Sequence, residues 1–126
     1  MIVLGMTMVV LAVAGLAIDG TRAFLVRRTL QSAADAAALA GAGEIDRVNY
    51  YVSSGRRIRL DPHAARRAAA RWLALRALQT DASVDASIDT VVVTLRGRVR
   101  TQFLRLIGIE EIPVAVEAAS SPVSVP

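Results

Sequence analysis

The sequence contains no cysteine and no lysine, and it has one histidine, four prolines and only 4% aromatic residues. Without cysteine there are no disulfides, no thiolate zinc site and no thiol nucleophile. With His63 as the single imidazole, a histidine-based metal centre or a serine–histidine triad is hard to assemble, because each needs other correctly placed partners besides an imidazole. We therefore expect no enzyme, and assign no catalytic, cofactor-binding or metal-ligating residue. All 15 basic side chains are arginine and stand against 11 acidic ones, giving a formal charge of +4 and a pI near 10.9. That balance favours anionic surroundings. The aromatics Phe24, Tyr50, Tyr51, Trp72 and Phe103 are too few and scattered for a base-stacking platform, so nucleic acid is not the expected partner.

The apolar residues, 54% of the chain, are concentrated at its start. From Met1 to Ile18 no side chain is charged, and Thr7 is the only polar interruption. As a helix this run spans about 27 Å, close to the roughly 30 Å of a bilayer core. A cleaved signal peptide would need basic residues before the run and a small-residue cleavage site after it. The run is instead succeeded by Asp19-Gly20-Thr21-Arg22, which favours a retained transmembrane helix. A buried core helix is the third alternative, and so small a chain could hardly enclose it. Taken alone, Arg22, Arg27 and Arg28 after the run would place the C-terminal part in the cytoplasm.

The helix should continue past the apolar run. No proline occurs from Asp19 to Ala42, and alanine, the best helix former, dominates from Ser32 onward. Leu25, Thr29, Ala33, Ala36, Ala40 and Gly43 recur at three- and four-residue steps. Their small side chains would let another helix approach closely, making Ala33, Ala36, Ala40 and Gly43 the helix-packing candidates; selection for helix propensity alone gives the same composition. Gly41 and Gly43 are expected to end the helix as C-cap glycines.

The stretch from Leu16 to Ala42, with Asp19 closing the apolar helix, Phe24 soon after, and then Leu30-Gln31-Ser32-Ala33-Ala34-Asp35-Ala36-Ala37-Ala38-Leu39-Ala40, resembles the N-terminal segment of TadE/TadG-like pilus-assembly proteins. Asp19, Phe24, Leu30, Gln31, Ala34, Asp35, Ala36, Ala37, Leu39 and Ala40 carry the likeness, and the remainder looks most like the actinobacterial branch. The resemblance implies a minor pilin or pilin-like part of the tight-adherence (Tad, Flp) pilus and secretion apparatus. It also implies an extracytoplasmic C-terminal domain and, as partners, other pilin-like subunits and the Tad machinery, with no small-molecule substrate. Members carry a basic segment ending in glycine ahead of the apolar helix. We accordingly expect the true start to lie upstream, where restored arginines would cancel the orientation bias of Arg22, Arg27 and Arg28. Counting from Gly5 as a prepilin-type cleavage point, the fifth residue is Val10 rather than glutamate, so prepilin-peptidase processing is not expected.

Beyond Gly43, Glu44 to Asp61 reads as a loop in which Ile58 and Leu60 face the core and Arg57 and Arg59 face water. The alternative is a recognition surface built from Tyr50, Tyr51 and the neighbouring arginines. Asp61-Pro62 opens an amphipathic helix, with Ala65, Ala68, Ala69, Trp72 and Leu75 inward, Arg66, Arg67 and Arg71 outward, and His63 solvated in the first turn. The period then shifts to two. Val84, Ala86 and Ile88 form one alternation, and Val91, Val93, Leu95 and Val99 a second. After a connection through Phe103 to Gly108, Ile112, Val114, Val116 and Ala118 form a third, with Pro113 favouring its start or an edge. Arg96, Arg98 and Arg100 share one sheet face, either as an anion-binding stripe or neutralised by neighbouring acids.

The expected fold is α+β. A transmembrane and extended helix (1–43) precedes an extracytoplasmic head (44–126) in which one amphipathic helix packs on a three-stranded antiparallel sheet. The expected function is a single-pass pilin-like subunit of the cytoplasmic membrane, reaching the cell surface or pilus and acting by helix packing. The rival is a membrane-tethered binder of anionic polymers such as DNA, lipid headgroups or cell-wall polymer.

Overall fold

A computed structural model of the chain describes residues 1–78 and 80–123, so Gln79 and the last three residues of the expected head lie outside the described residues. Helix α1 runs unbroken from Ile2 to Ala42, about 60 Å at 1.5 Å per residue. Then come α2 (Arg47–Val52), α3 (Pro62–Leu75), β1 (Asp81–Ala86), β2 (Val91–Arg100), a 3-10 turn (Leu104–Ile107) and β3 (Glu111–Ser120). The strands form one antiparallel sheet in the order β1-β2-β3. The α+β architecture expected from the sequence is thus present.

The sheet buries one face. On it lie Val91, Val93, Leu95 and Val99 of β2, with Val114, Val116 and Ala118 of β3. Two helices cover this face: α3, and beside it the second half of α1, which supplies Leu30, Ala33, Ala34, Ala37 and Ala38 to the same core cluster. Ala34 and Ala37 are fully buried. The alanine-rich composition has a packing reason as well as a propensity one: methyl side chains let α1 lie close to both α3 and the sheet. Without that half-helix the head would have one helix on its sheet and a core of marginal size.

Gly41 marks the closest approach. A Cβ there would stand 3.0 Å from the Ala65 carbonyl oxygen and 3.0 Å from a Val91 methyl carbon. It is therefore a packing residue inside the helix rather than a C-cap. Gly43 does occupy the C-cap, but at φ −75° and ψ −14°, a right-handed conformation open to any residue. The left-handed cap expected at these glycines is not formed: the Gly43 N–H makes a last α-type bond to the Leu39 carbonyl, and the Glu44 N–H closes the end with a 3-10-type bond to the Gly41 carbonyl.

The stretch read as a loop contains α2. Asp46 caps it, accepting the Asn49 N–H at 3.1 Å and the Asn49 side-chain amide. The β-branched and aromatic residues of Val48-Asn49-Tyr50-Tyr51-Val52 are weak helix formers, so the cap outweighs the local propensity. The Asn49 backbone N–H, and then its side-chain amide, hold the Asp46 carboxyl below its ordinary value. A lowered folded value means that this contribution is present above the unfolded carboxyl pKa and is lost as pH falls through the folded one. Amide exchange at Asn49 should accordingly accelerate below about pH 4; an exchange rate that keeps its intrinsic pH dependence there would show that the cap does not hold α2. Leu60 is buried and Ile58 half-buried, with Arg57 and Arg59 exposed, as the alternation predicts.

Asp61 caps α3 through the N–H groups of His63 and Ala64, with Pro62 at the first position, and His63 is exposed. The inward face of α3 is rotated from the expected one: Ala65, Ala69 and Leu73 are buried, Trp72 is half-buried, and Leu75 is exposed. The helix ends at Leu75, so that residue escapes the core while Arg76 folds back over the Trp72 ring at 4.6 Å. Strand β1 stops at Ala86 rather than continuing through Ile88. The Ser87 hydroxyl accepts the Asp89 and Thr90 N–H groups and so closes the hairpin, leaving Ile88 half-exposed in the turn.

Candidate membrane and assembly interface

Strand β2 runs alongside α1, and their lengths match. Val91 touches Gly41 near the top of the helix, and Gly97 lies beside Leu30, whose Cδ1 is 3.4 Å from where a glycine Cβ would stand. From Gly97 to Gln102 the strand direction covers about 16 Å. From Leu30 back to Asp19 the helix covers about the same. The β2–β3 connection is thereby delivered to Asp19, the first charged residue after the apolar run.

Asp19 is 1% exposed. Its carboxylate accepts three backbone N–H groups across the fold: Gln102 at 2.9 Å, Phe103 at 2.9 Å and Leu104 at 2.8 Å. These are the otherwise unpartnered donors at the start of the 3-10 turn, so a side chain on α1 caps an element more than eighty residues away. Thr101 closes the stem of the connection, its hydroxyl donating to the Ile109 and Glu110 carbonyls and its N–H to Glu110. At the other end Gly108 takes φ +90°, a left-handed conformation that favours glycine. Phe103 then lies directly on Gly15: a Cβ at that glycine would come within 2.6 Å of the Phe103 Cβ. The clamp is hidden in the sequence, because Asp19 looks like an ordinary flank of an apolar run and Phe103–Gly108 like a connector. Its one sequence signal is a carboxylate placed mid-helix where the apolar run ends.

Of the helix-packing candidates, Ala33 is buried against the chain's own core, Ala36 and Ala40 are half-buried, and Gly43 is exposed. The outward strip of α1 beyond the apolar run carries Leu25, Ser32, Leu39 and Gly43, with Leu39 66% exposed. Arg96, Arg98 and Arg100 all stand on the solvent face of the sheet. Register places Asp81 opposite Arg96 and Glu111 opposite Arg100, while Glu117 lies opposite Thr94 on the same face. Arg98 reaches Glu111 at 3.7 Å. The stripe is thus interleaved with acids. Among the described residues, no three His, Asp or Glu side chains converge as a metal site.

Residues 1–44 match the family model described as putative Flp pilus-assembly TadE/G-like. Helix α1 is thus similar to the TadE/G-like segment of pilus-assembly proteins. The match ends where α1 ends, and it supports a role in Tad pilus assembly, a structural rather than catalytic task. No curated protein and no solved structure matches the chain. The TadE/G-like segment includes both Gly15 and Asp19, so both contacts to the β2–β3 connection arise within it. Its helix is also the single element long and apolar enough to cross a membrane among the described residues.

Proposed function

We propose that the protein is a single-pass, membrane-anchored pilin-like subunit of a Tad/Flp-type assembly, with its head outside the cytoplasmic membrane, and that it acts by lateral packing of α1. The observation that carries this reading is the double use of α1. Its residues 2–18 are almost wholly exposed and apolar, as lipid requires, while its last turns form part of the head's core without a break in the helix. A subunit built this way transmits any movement of the anchor directly to the head. The strip through Ser32, Ala36, Leu39 and Gly43 remains open for a neighbouring subunit, with small residues on either side of one leucine.

Replacing Ala36 by leucine together with Leu39 by glutamate should leave the thermal midpoint nearly unchanged. Co-purification with other pilin-like subunits and the Tad machinery should fall severalfold. Undiminished assembly would count against packing through this strip. Since the chain has no native cysteine, a Ser83→Cys variant labelled in intact cells by a membrane-impermeant maleimide reads the orientation directly. Labelling is expected, and protection until lysis would place the head inside.

The anion-binding reading makes a different demand. With Asp81, Glu111 and Glu117 beside the arginines, an Arg98→Ala variant should bind duplex DNA no differently from the parent. A steep fall of binding with salt, reduced by that substitution, would restore the rival.

A further inference from the structure

We propose that the β2–β3 connection, Phe103 to Ile109, is a second membrane element, inserted into the interfacial region of the bilayer beside α1 and locked there by Asp19. This rests on the reading of α1 as a transmembrane anchor. Three observations carry it beyond that reading.

The first is depth. The apolar run through Ile18 is about 27 Å long, no longer than the roughly 30 Å hydrocarbon core it would cross. A bilayer that covers this run must therefore also cover what touches Gly15, and Phe103 touches Gly15. The second is composition. Leu106 is 79% and Ile107 73% exposed, with Phe103 and Ile109 nearly half-exposed, so the tip of the connection presents aliphatic surface with nothing of its own chain over it. Arg105, the one charge within it, is long enough to carry its guanidinium back to the phosphates. The third is backbone satisfaction. A segment in lipid cannot leave N–H groups to water. Here Gln102, Phe103 and Leu104 donate to Asp19, Leu106 to Phe103, Gly108 to Arg105 and Ile109 to Leu104. Asp19 gains equally, since a carboxylate at the membrane edge is costly unless its oxygens are bonded. The occupant of this apolar surface is accordingly lipid, continuous with the lipid around α1, rather than a second copy of the chain.

Nitroxide labels at single cysteines test this on the full chain in phosphatidylethanolamine–phosphatidylglycerol vesicles. Labels at Leu106→Cys and Ile107→Cys should show depth parameters of the acyl–headgroup boundary, about 5–10 Å below the phosphates. A label at Ser83→Cys, on the outer sheet face, should read as water. Adding Asp19→Ala to the Ile107→Cys variant should shift that label toward water and sharpen its spectrum. A label at Val10→Cys distinguishes failure of the insertion from failure of the anchor. Val10 in lipid with 106 and 107 in water overturns the insertion alone, and Val10 in water overturns the anchor and the insertion together. Disulfide or dipolar coupling between copies at 106, with no lipid contact, would assign the surface to a second subunit and also overturn the proposal.

Discussion

Replacing Asp19 by alanine will release the Gln102, Phe103 and Leu104 amides, and their hydrogen exchange will accelerate by about 10–100-fold, the factor that a hydrogen bond to a charged acceptor is worth. All three bonds end on one carboxylate, so one substitution removes them together. Asparagine at this position should do nearly as much harm. It keeps the shape of the side chain but turns one acceptor into a donor facing other donors. Asp35→Ala is the matched control. Asp35 also lies on α1 but is exposed, and its side chain accepts a bond from the neighbouring Gln31 at 3.0 Å. Its loss should leave amides 102–104 unchanged. If Asp19→Asn leaves them equally protected, the clamp is not what holds the connection.

Gly41→Leu should be the most damaging change in the head, lowering stability by about 3 kcal/mol or more. A Cβ at position 41 already stands at 3.0 Å from a backbone oxygen of α3 and from a Val91 methyl carbon. The oxygen cannot move without shifting α3, and Val91 is fully buried. Two residues on, Gly43 predicts the opposite. Its φ of −75° suits any residue, and its Cβ would meet nothing closer than the Ala40 carbonyl oxygen at 3.5 Å. Gly43→Ala should be neutral or stabilise by up to about 1 kcal/mol, through the reduced freedom of the unfolded chain. Thermal melts of the two variants in the same detergent check both. Equal effects would mean that the two glycines do the same job, as their sequence positions suggest and their surroundings deny.

These glycines show where the sequence was legible and where it was not. Local chemistry was readable. Asp61-Pro62 opens α3, the alternation of Val91, Val93 and Leu95 faces the core, and the apolar run from Met1 extends into a single long helix, all from rules that act within a few residues. What escaped depends on residues far apart in the chain. A small-residue stripe on α1 serves a neighbouring helix or the chain's own sheet equally well, and periodicity does not say which. In the fold Ala33, Ala34, Ala37 and Ala38 turn inward. Leu75 looks apolar and in phase, yet it lies where α3 ends and nothing covers it. Asp46 nucleates α2 against the poor propensity of Val48 to Val52. The Asp19 clamp was the least visible, because it exists only once β2 has measured out the same length as the helix beside it. The likeness carried by Asp19 and the run through Ala40 agrees with the TadE/G-like family match, which stops at residue 44 and does not extend into the head.

Coupling of anchor to head requires α1 to be one rigid body from the bilayer to the sheet. Hydrogen exchange of the full chain in lipid nanodiscs, resolved along residues 2–42, tests that most directly. Protection should be continuous, deepest within the span and again from Leu30 to Ala42, with residues 19–29 still helical and Gln102–Leu104 protected alongside Asp19. Rapid exchange throughout 19–29, at the rate of an unstructured chain, would show an anchor and a head joined by a flexible tether and would contradict a continuous α1.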